Sequence, residues 1–259
     1  MAFHGKVALV TGAASGMGRI AAQRLAKQGA TVAAVDLNEA GLEETAKGFD
    51  TMRRYSCDVS DLEAVRDLFA RVESDLGTID RVTHAAAIMP TCLLAKATPE
   101  WVERLMRVNY DGTVNVALTA VGPMFARRSG DLILFGSVAG YVMTPHMGAY
   151  CATKAAVNAF GELLIRENEG SGVRILLVCP PMVNTPLLKQ ALDTSNPRSL
   201  QQGISQGRLA DPEVIVDEIE KGIESGKSIL FPGEAKMLWR MRRFVPNLLW
   251  RLIRKSEGI

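Results

Sequence analysis

The chain has 259 residues, 47% of them hydrophobic, enough to bury a large core within one α/β domain. A formal net charge of +2, with no long basic block, argues against a nucleic-acid partner. The four cysteines, Cys57, Cys92, Cys151 and Cys179, form no CxxC pair and no His/Cys ligand spacing, so reduced thiols and no metal site are expected.

Short apolar or β-branched runs alternate with longer amphipathic stretches, the pattern of a parallel sheet covered by helices on both faces. Strands are predicted at 6–11 (KVALVT), 31–36 (TVAAVD), 53–59 (RRYSCDV), 79–86 (IDRVTHAA), 131–137 (DLILFGS), 173–179 (VRILLVC) and 228–231 (SILF). Helices are predicted at 16–28, 39–47, 61–75, 99–127, 148–168 and 211–224. The continuous apolarity of KVALV, LILF and ILLV suits strands buried on both sides. The expectation is one doubly wound, seven-stranded α/β domain over residues 1–259. Residues 185–210 are polar and glycine-punctuated, and are expected to form a mobile loop or short helix facing substrate. The amino terminus enters a strand pattern after five residues, and no run reaches the roughly 20 apolar residues of a membrane span. A soluble, cytoplasmic protein is therefore expected.

The stretch VTGAASGMGRIAAQ follows the first strand and opens into a helix. Gly12, Gly16 and Gly18 there would allow a sharp turn, close approach to a pyrophosphate and tight packing of the helix, as in a Rossmann-type dinucleotide site. The alternative is a tight strand-to-helix turn without a ligand. Asp36 ends the second strand, where a carboxylate accepts hydrogen bonds from an adenine ribose. It would repel a 2′-phosphate by about 4 kcal/mol at ~4 Å and an effective dielectric near 20. Asp36 thus favours NAD over NADP, unless it is only a turn or helix-terminal residue. Asp58, after the third strand, either bonds the adenine amine or caps the next helix.

In GAYCATKAA, residues 148–156, Tyr150 and Lys154 stand one helical turn apart, and Ser137 ends the preceding strand. An ammonium ~5 Å from the phenol favours the phenolate by about 3 kcal/mol, roughly two pKa units below the reference value near 10. Such a pair would make a tunable acid and base.

Taken together, TGAASGMG, the VNYDG segment with Asn109, and Ser137 followed by YCATK closely resemble the classical short-chain dehydrogenase/reductase family, from residue 5 to about 232. The resemblance implies that Tyr150 is the acid/base and that Ser137 bonds the substrate oxygen. It implies that Lys154 holds the nicotinamide ribose and that Asn109 keeps a water linking lysine to solvent. It also assigns cofactor contacts to Ser15, Met17, Val59, Ala85, Ala86, Pro180, Val183 and Thr185. The reaction implied is hydride transfer between nicotinamide and a carbinol or carbonyl carbon. A homotetramer or homodimer through the helices at 99–127 and 148–168 is the usual assembly. The chain departs from the family pattern at His84 and Ala87 in HAAA and at Pro181 in CPPMVNTP. His84 is expected to be a structural substitution and neither a metal ligand nor a base.

Val138, Met143, Met182 and Leu187 are expected to line a pocket for an apolar alcohol or ketone such as a steroid, retinoid or hydroxyacyl group. Residues 236–259 hold seven basic residues and one acid, a balance of +6, against −4 for residues 1–235. Pro246 should divide the basic amphipathic extension 234–257 into two helices. Three readings are open for it: packing on the domain or a neighbouring subunit, a lid over the pocket, or docking on an anionic membrane surface. The expected activity is an NAD-dependent oxidoreductase. The competing reading is a non-catalytic cofactor-binding regulator or lipid-surface protein on the same fold.

Overall fold

The computed structural model describes Phe3 and residues 6–259. β1 (Val7–Thr11), α1 (Gly16–Lys27), β2 (Thr31–Asp36), α2 (Glu39–Ala46), β3 (Met52–Ser56), α3 (Leu62–Leu76) and β4 (Ile79–His84) come first. α4 (Pro99–Met106), α5 (Gly112–Arg127), β5 (Gly130–Phe135), α6 (Gly148–Glu167), β6 (Val173–Val178), α7 (Pro186–Asp193), α8 (Arg198–Ser205), α9 (Pro212–Glu224) and β7 (Ile229–Leu230) follow. The described chain closes with α10 (Ala235–Phe244) and α11 (Pro246–Glu257).

The strands form one all-parallel sheet in the order β3-β2-β1-β4-β5-β6-β7. The apolar strand runs bury side chains on both faces: Leu9, Val82, Leu132 and Leu177 pack against α3, α5 and α6. Ala8, Val10, Val32 and Ala34 pack against α1 and α2, while Ile133, Leu176 and Val178 meet α9. Strand order reverses between β1 and β4, so the crevice of this fold class opens at their carboxyl ends. No helix among the described residues is long and apolar enough to cross a membrane.

Among the predicted strands that end early, three release functional candidates. β3 ends at Ser56, β4 at His84 and β5 at Phe135, so Cys57 to Val59, Ala85 to Ala86 and Gly136 to Ser137 leave the ladder at the crevice. The predicted 99–127 helix is interrupted by a π-helical turn over Arg107–Asp111, which carries Asn109. Residues 185–210 hold two short helices, α7 beginning at Pro186 and α8 directly after Pro197. Pro246 separates α10 from α11 as expected, and the two helices pack on each other, on α8 and on the 3-10 turn Val138–Gly140.

Candidate functional site

Between β1 and α1 the chain turns at Gly12, with φ +68°; a Cβ there would lie 2.7 Å from the backbone of Ala85 and Ala86. At Gly18 a Cβ would fall 2.2 Å from the Gly12 carbonyl oxygen, so this side-chain-free pair lets α1 start against the turn. Ser15, the N-cap of α1, makes no side-chain cap bond, and the first turn contains no acid. Its free amides and dipole therefore suit an anionic group.

A cleft of about 520 Å³ runs past this turn, lined by Gly12, Ser15, Gly16, Met17, Gly18, Asp36, Asp58, Val59, Ala85, Ala86 and Thr185. Asp36 is held by the amides of Ala14 (3.1 Å) and Asn38 (3.0 Å), which fix its carboxylate at the cleft wall. Asp58 accepts from Ser60 N and Oγ at 2.9 and 2.7 Å. The cap of α3 is Asp61, which accepts from Glu63 and Ala64, so the capping alternative for Asp58 does not apply. Unpaired helix amides at one point and an oriented carboxylate farther along fit a dinucleotide.

A second cavity, of about 230 Å³, adjoins the first and shares Met17, Ala85, Ala87, Thr185 and Leu187 with it. Ser137, Tyr150 and Lys154 line it, with Pro180, Val183, Val138, Met182 and Leu187. Ser137 accepts from Ala139 N at 3.0 Å, which starts the turn Val138–Gly140 and holds its hydroxyl at the wall.

Tyr150 and Lys154 are 6% and 3% exposed, facing inward from α6. The Lys154 ammonium donates to the Phe135 carbonyl oxygen at 2.8 Å and lies 5.9 Å from the Tyr150 ring centroid. The expected acidification of the phenol is not obtained. Burial pushes Tyr150 well above its ordinary 10, against a hydrogen bond from Ser137 that lowers it. Burial also pushes Lys154 down to about 8, with the nearby Cys179 opposing. Desolvation dominates at both groups, and the ammonium is held by a backbone carbonyl.

Asn109 lines neither cavity. Its side chain accepts from Ile88 N at 2.9 Å and donates to Ile88 O at 2.9 Å and to Thr153 Oγ1 at 3.1 Å. It thereby ties the segment after β4 to the helix carrying Tyr150 and Lys154. His84 is fully buried, with Nδ1 bonded to Thr11 Oγ1 at 2.8 Å and Nε2 without a partner among the described residues. Burial, with Lys154 adding to it, lowers the imidazole pKa to about 3 and keeps the ring neutral near pH 7.

Met143 departs from expectation. It is 45% exposed and leaves the cavity wall to Val142, Thr144 and Met147, because the chain beyond the 3-10 turn alternates sides and Met143 falls outward. Leu200, Leu238 and Ile253 line the cavity and were not anticipated individually, nor was Ser199, whose Oγ is buried without a partner among the described residues. They come from α8, α10 and α11, whose approach depends on tertiary packing. The amphipathic tail was the one signal that pointed toward them.

The fold and its cleft define a doubly wound, Rossmann-type domain with a buried Ser–Tyr–Lys set beside the dinucleotide crevice. The chain belongs to the short chain dehydrogenase family, an oxidoreductase family, whose model matches residues 6–196. It is 31% identical over 234 residues to the 2,3-dihydro-2,3-dihydroxybenzoate dehydrogenase of Bacillus subtilis (strain 168), covering 83% of this chain and 88% of the relative. It is 27% identical over 263 residues to human estradiol 17-beta-dehydrogenase 11, covering 98% and 84%. A short chain dehydrogenase/reductase from Burkholderia phymatum, solved in complex with NAD, has the same fold, with a TM-score of 0.84, 22% identity and 96% of each chain covered.

Proposed function

We propose that this chain catalyses NAD-dependent interconversion of a secondary alcohol and a ketone on a mostly apolar substrate. The observation that carries this reading is the junction of the two cavities. Ser137, Tyr150 and Lys154 line an apolar chamber that shares five wall residues with a cleft suited to a dinucleotide. Val138, Val142, Met147, Met182, Leu187 and Leu200 supply the apolar walls, and methionine adapts to irregular ligands. A hydroxysteroid, retinoid or hydroxyacyl group suits such walls. The relative named for estradiol, similar over nearly the whole chain, is consistent with this class.

When bound, the nicotinamide supplies or accepts hydride. The amides opening α1 would hold its pyrophosphate, Asp36 would hold the adenine ribose, and Val183 and Thr185 would contact the amide group. Ser137 Oγ positions the substrate oxygen, and Tyr150 Oη donates a proton to it as a ketone is reduced. In the oxidising direction the same atom takes the proton back. Lys154 holds the nicotinamide ribose. Asn109 acts at a distance by fixing α6, so it is a positioning residue.

Asp36 supports NAD over NADP, since a 2′-phosphate beside it would meet a carboxylate. Arg19, on α1, is engaged with Thr45 and the carbonyls of Ala14 and Gly41, while Arg104 and Arg107 also line the cleft. Nicotinamide absorbance with NAD and NADP in parallel, over hydroxysteroids, retinoids, hydroxyacyl thioesters and simple secondary alcohols, tests the reading. Expected are turnover with NAD on an apolar member and its near-complete loss in Tyr150→Phe with NADH binding kept. Equal efficiency with NADP overturns the cofactor assignment. Unchanged turnover in Tyr150→Phe overturns the mechanism.

A further inference from the structure

The hairpin of α10 and α11 has two contrasting sides. On the inner side Ala235 and Leu249 are buried against Val138 and Val142, and Leu238 and Ile253 form part of the apolar cavity wall. On the outer side Phe244 is 73% exposed, with Leu248, Trp250 and Leu252 about half exposed. Of sixteen large hydrophobics exposed among the described residues, seven fall in this terminal stretch, too many for the scatter of an ordinary surface.

Interleaved with them are Arg240, Arg242, Arg243, Arg251, Arg254 and Lys255, all exposed and none in an ion pair among the described residues. The single acid of the stretch, Glu257, is buried, where it accepts from the amides of Arg198 and Ser199 at 3.1 Å each. The outer face therefore presents cations and apolar groups with no exposed Asp or Glu side chain among residues 236–259. A second copy of this face would bring like charges together, and a nucleic acid would leave Phe244 and Leu252 without a partner. An anionic bilayer surface satisfies both: phosphates take the guanidinium groups while aromatic and aliphatic side chains enter the acyl boundary.

We propose that the outer face of α10–α11 docks on an anionic lipid surface, so that the cavity behind it receives apolar substrate from the bilayer past Leu238 and Ile253. Docking stands on the surface itself; delivery rests on reading that cavity as an apolar-substrate site.

The test uses the full chain with phosphatidylcholine vesicles, with and without phosphatidylglycerol, at low and high salt. Cosedimentation is read together with quenching of tryptophan emission by brominated lipid. Wild type is expected to bind only the anionic vesicles, to be released by salt, and to be quenched. Charge reversal at Arg242, Arg243, Arg251 and Arg254 to Glu should weaken vesicle affinity at least about tenfold, given the attraction each cation contributes near an anionic surface. Phe244→Ser with Leu252→Ser should lose the quenching, with both variants keeping the wild-type unfolding midpoint. Equal binding to neutral and anionic vesicles, no binding at low salt, or a self-association abolished by Phe244→Ser each overturns docking. Tyr150→Phe should dock as wild type does. Docking without turnover of any vesicle-borne ketone would overturn the delivery reading and leave docking intact.

Discussion

The ammonium of Lys154 donates to the carbonyl oxygen of Phe135 at 2.8 Å, with no carboxylate among its hydrogen-bond partners. A buried cation satisfied by a neutral carbonyl carries a desolvation cost, and its pKa falls from 10.5 to about 8. Between those values the unfolded chain binds more protons than the folded one, so this residue makes stability rise with pH there. Replacing it by methionine should remove that rise. Urea unfolding of wild type and Lys154→Met across this range should show wild type gaining about 3 kcal/mol relative to the variant by pH 10.5. Parallel curves would mean that the lysine is solvated.

The same burial holds the Tyr150 phenol protonated through neutral pH. A protonated phenol is the form that reduces a ketone, whereas oxidation of an alcohol needs the phenolate. Oxidation should therefore accelerate with pH through and beyond the ordinary phenol range, and reduction should decline there. Initial rates in both directions over alkaline pH check this. A rate of oxidation that levels off near neutrality would show that the bound dinucleotide and Lys154 together reverse the effect of burial.

His84 titrates on the acid side. Its imidazole pKa is lowered to about 3 in the fold, while an unfolded histidine takes a proton near 6.5. Over that window the unfolded chain again binds more protons, and stability falls as pH falls. His84→Asn, which keeps a donor for Thr11, should make the acid limb of stability shallower by about 1.4 kcal/mol per pH unit. Chemical denaturation at stepped acid pH measures it, and an unchanged slope would indicate that water reaches Nε2.

How much was legible in the sequence depended on the range of the interaction that decides each feature. β2 matched its predicted span, and β1 and β6 differed by one residue at an end, because strands buried on both faces must be continuously apolar. The crevice was legible at Gly12, Asp36, Ser137, Tyr150 and Lys154, where local turns and a one-turn helical spacing place the groups. The break at Arg107–Asp111 was not, since its sequence carries no breaker and Asn109 is held there by Ile88 and Thr153 from other segments. Nor was the outward turn of Met143, or the charge state of Tyr150, which turns on burial. Spacing alone says nothing about the desolvation of a pair.

The terminal helix is locked to α8 by one carboxylate. α8 follows Pro197, which offers no side-chain acceptor, and Glu257 takes the amides of its first two residues. Charge-assisted bonds to a helix amino terminus are among the stronger ones, about 1.5–3 kcal/mol each way of counting. α8 supplies Ser199 and Leu200 to the cavity and α11 supplies Ile253, so this contact holds two of its walls at a fixed distance. Glu257→Ala should destabilise the fold by about 2 kcal/mol and raise KM for the apolar substrate several-fold, with kcat and NADH affinity near wild type. Glu257→Gln should recover part of the stability, since the amide oxygen still accepts one bond. A fall in kcat with KM unchanged would mean that the tail contributes to the chemical step and not to the shape of the cavity.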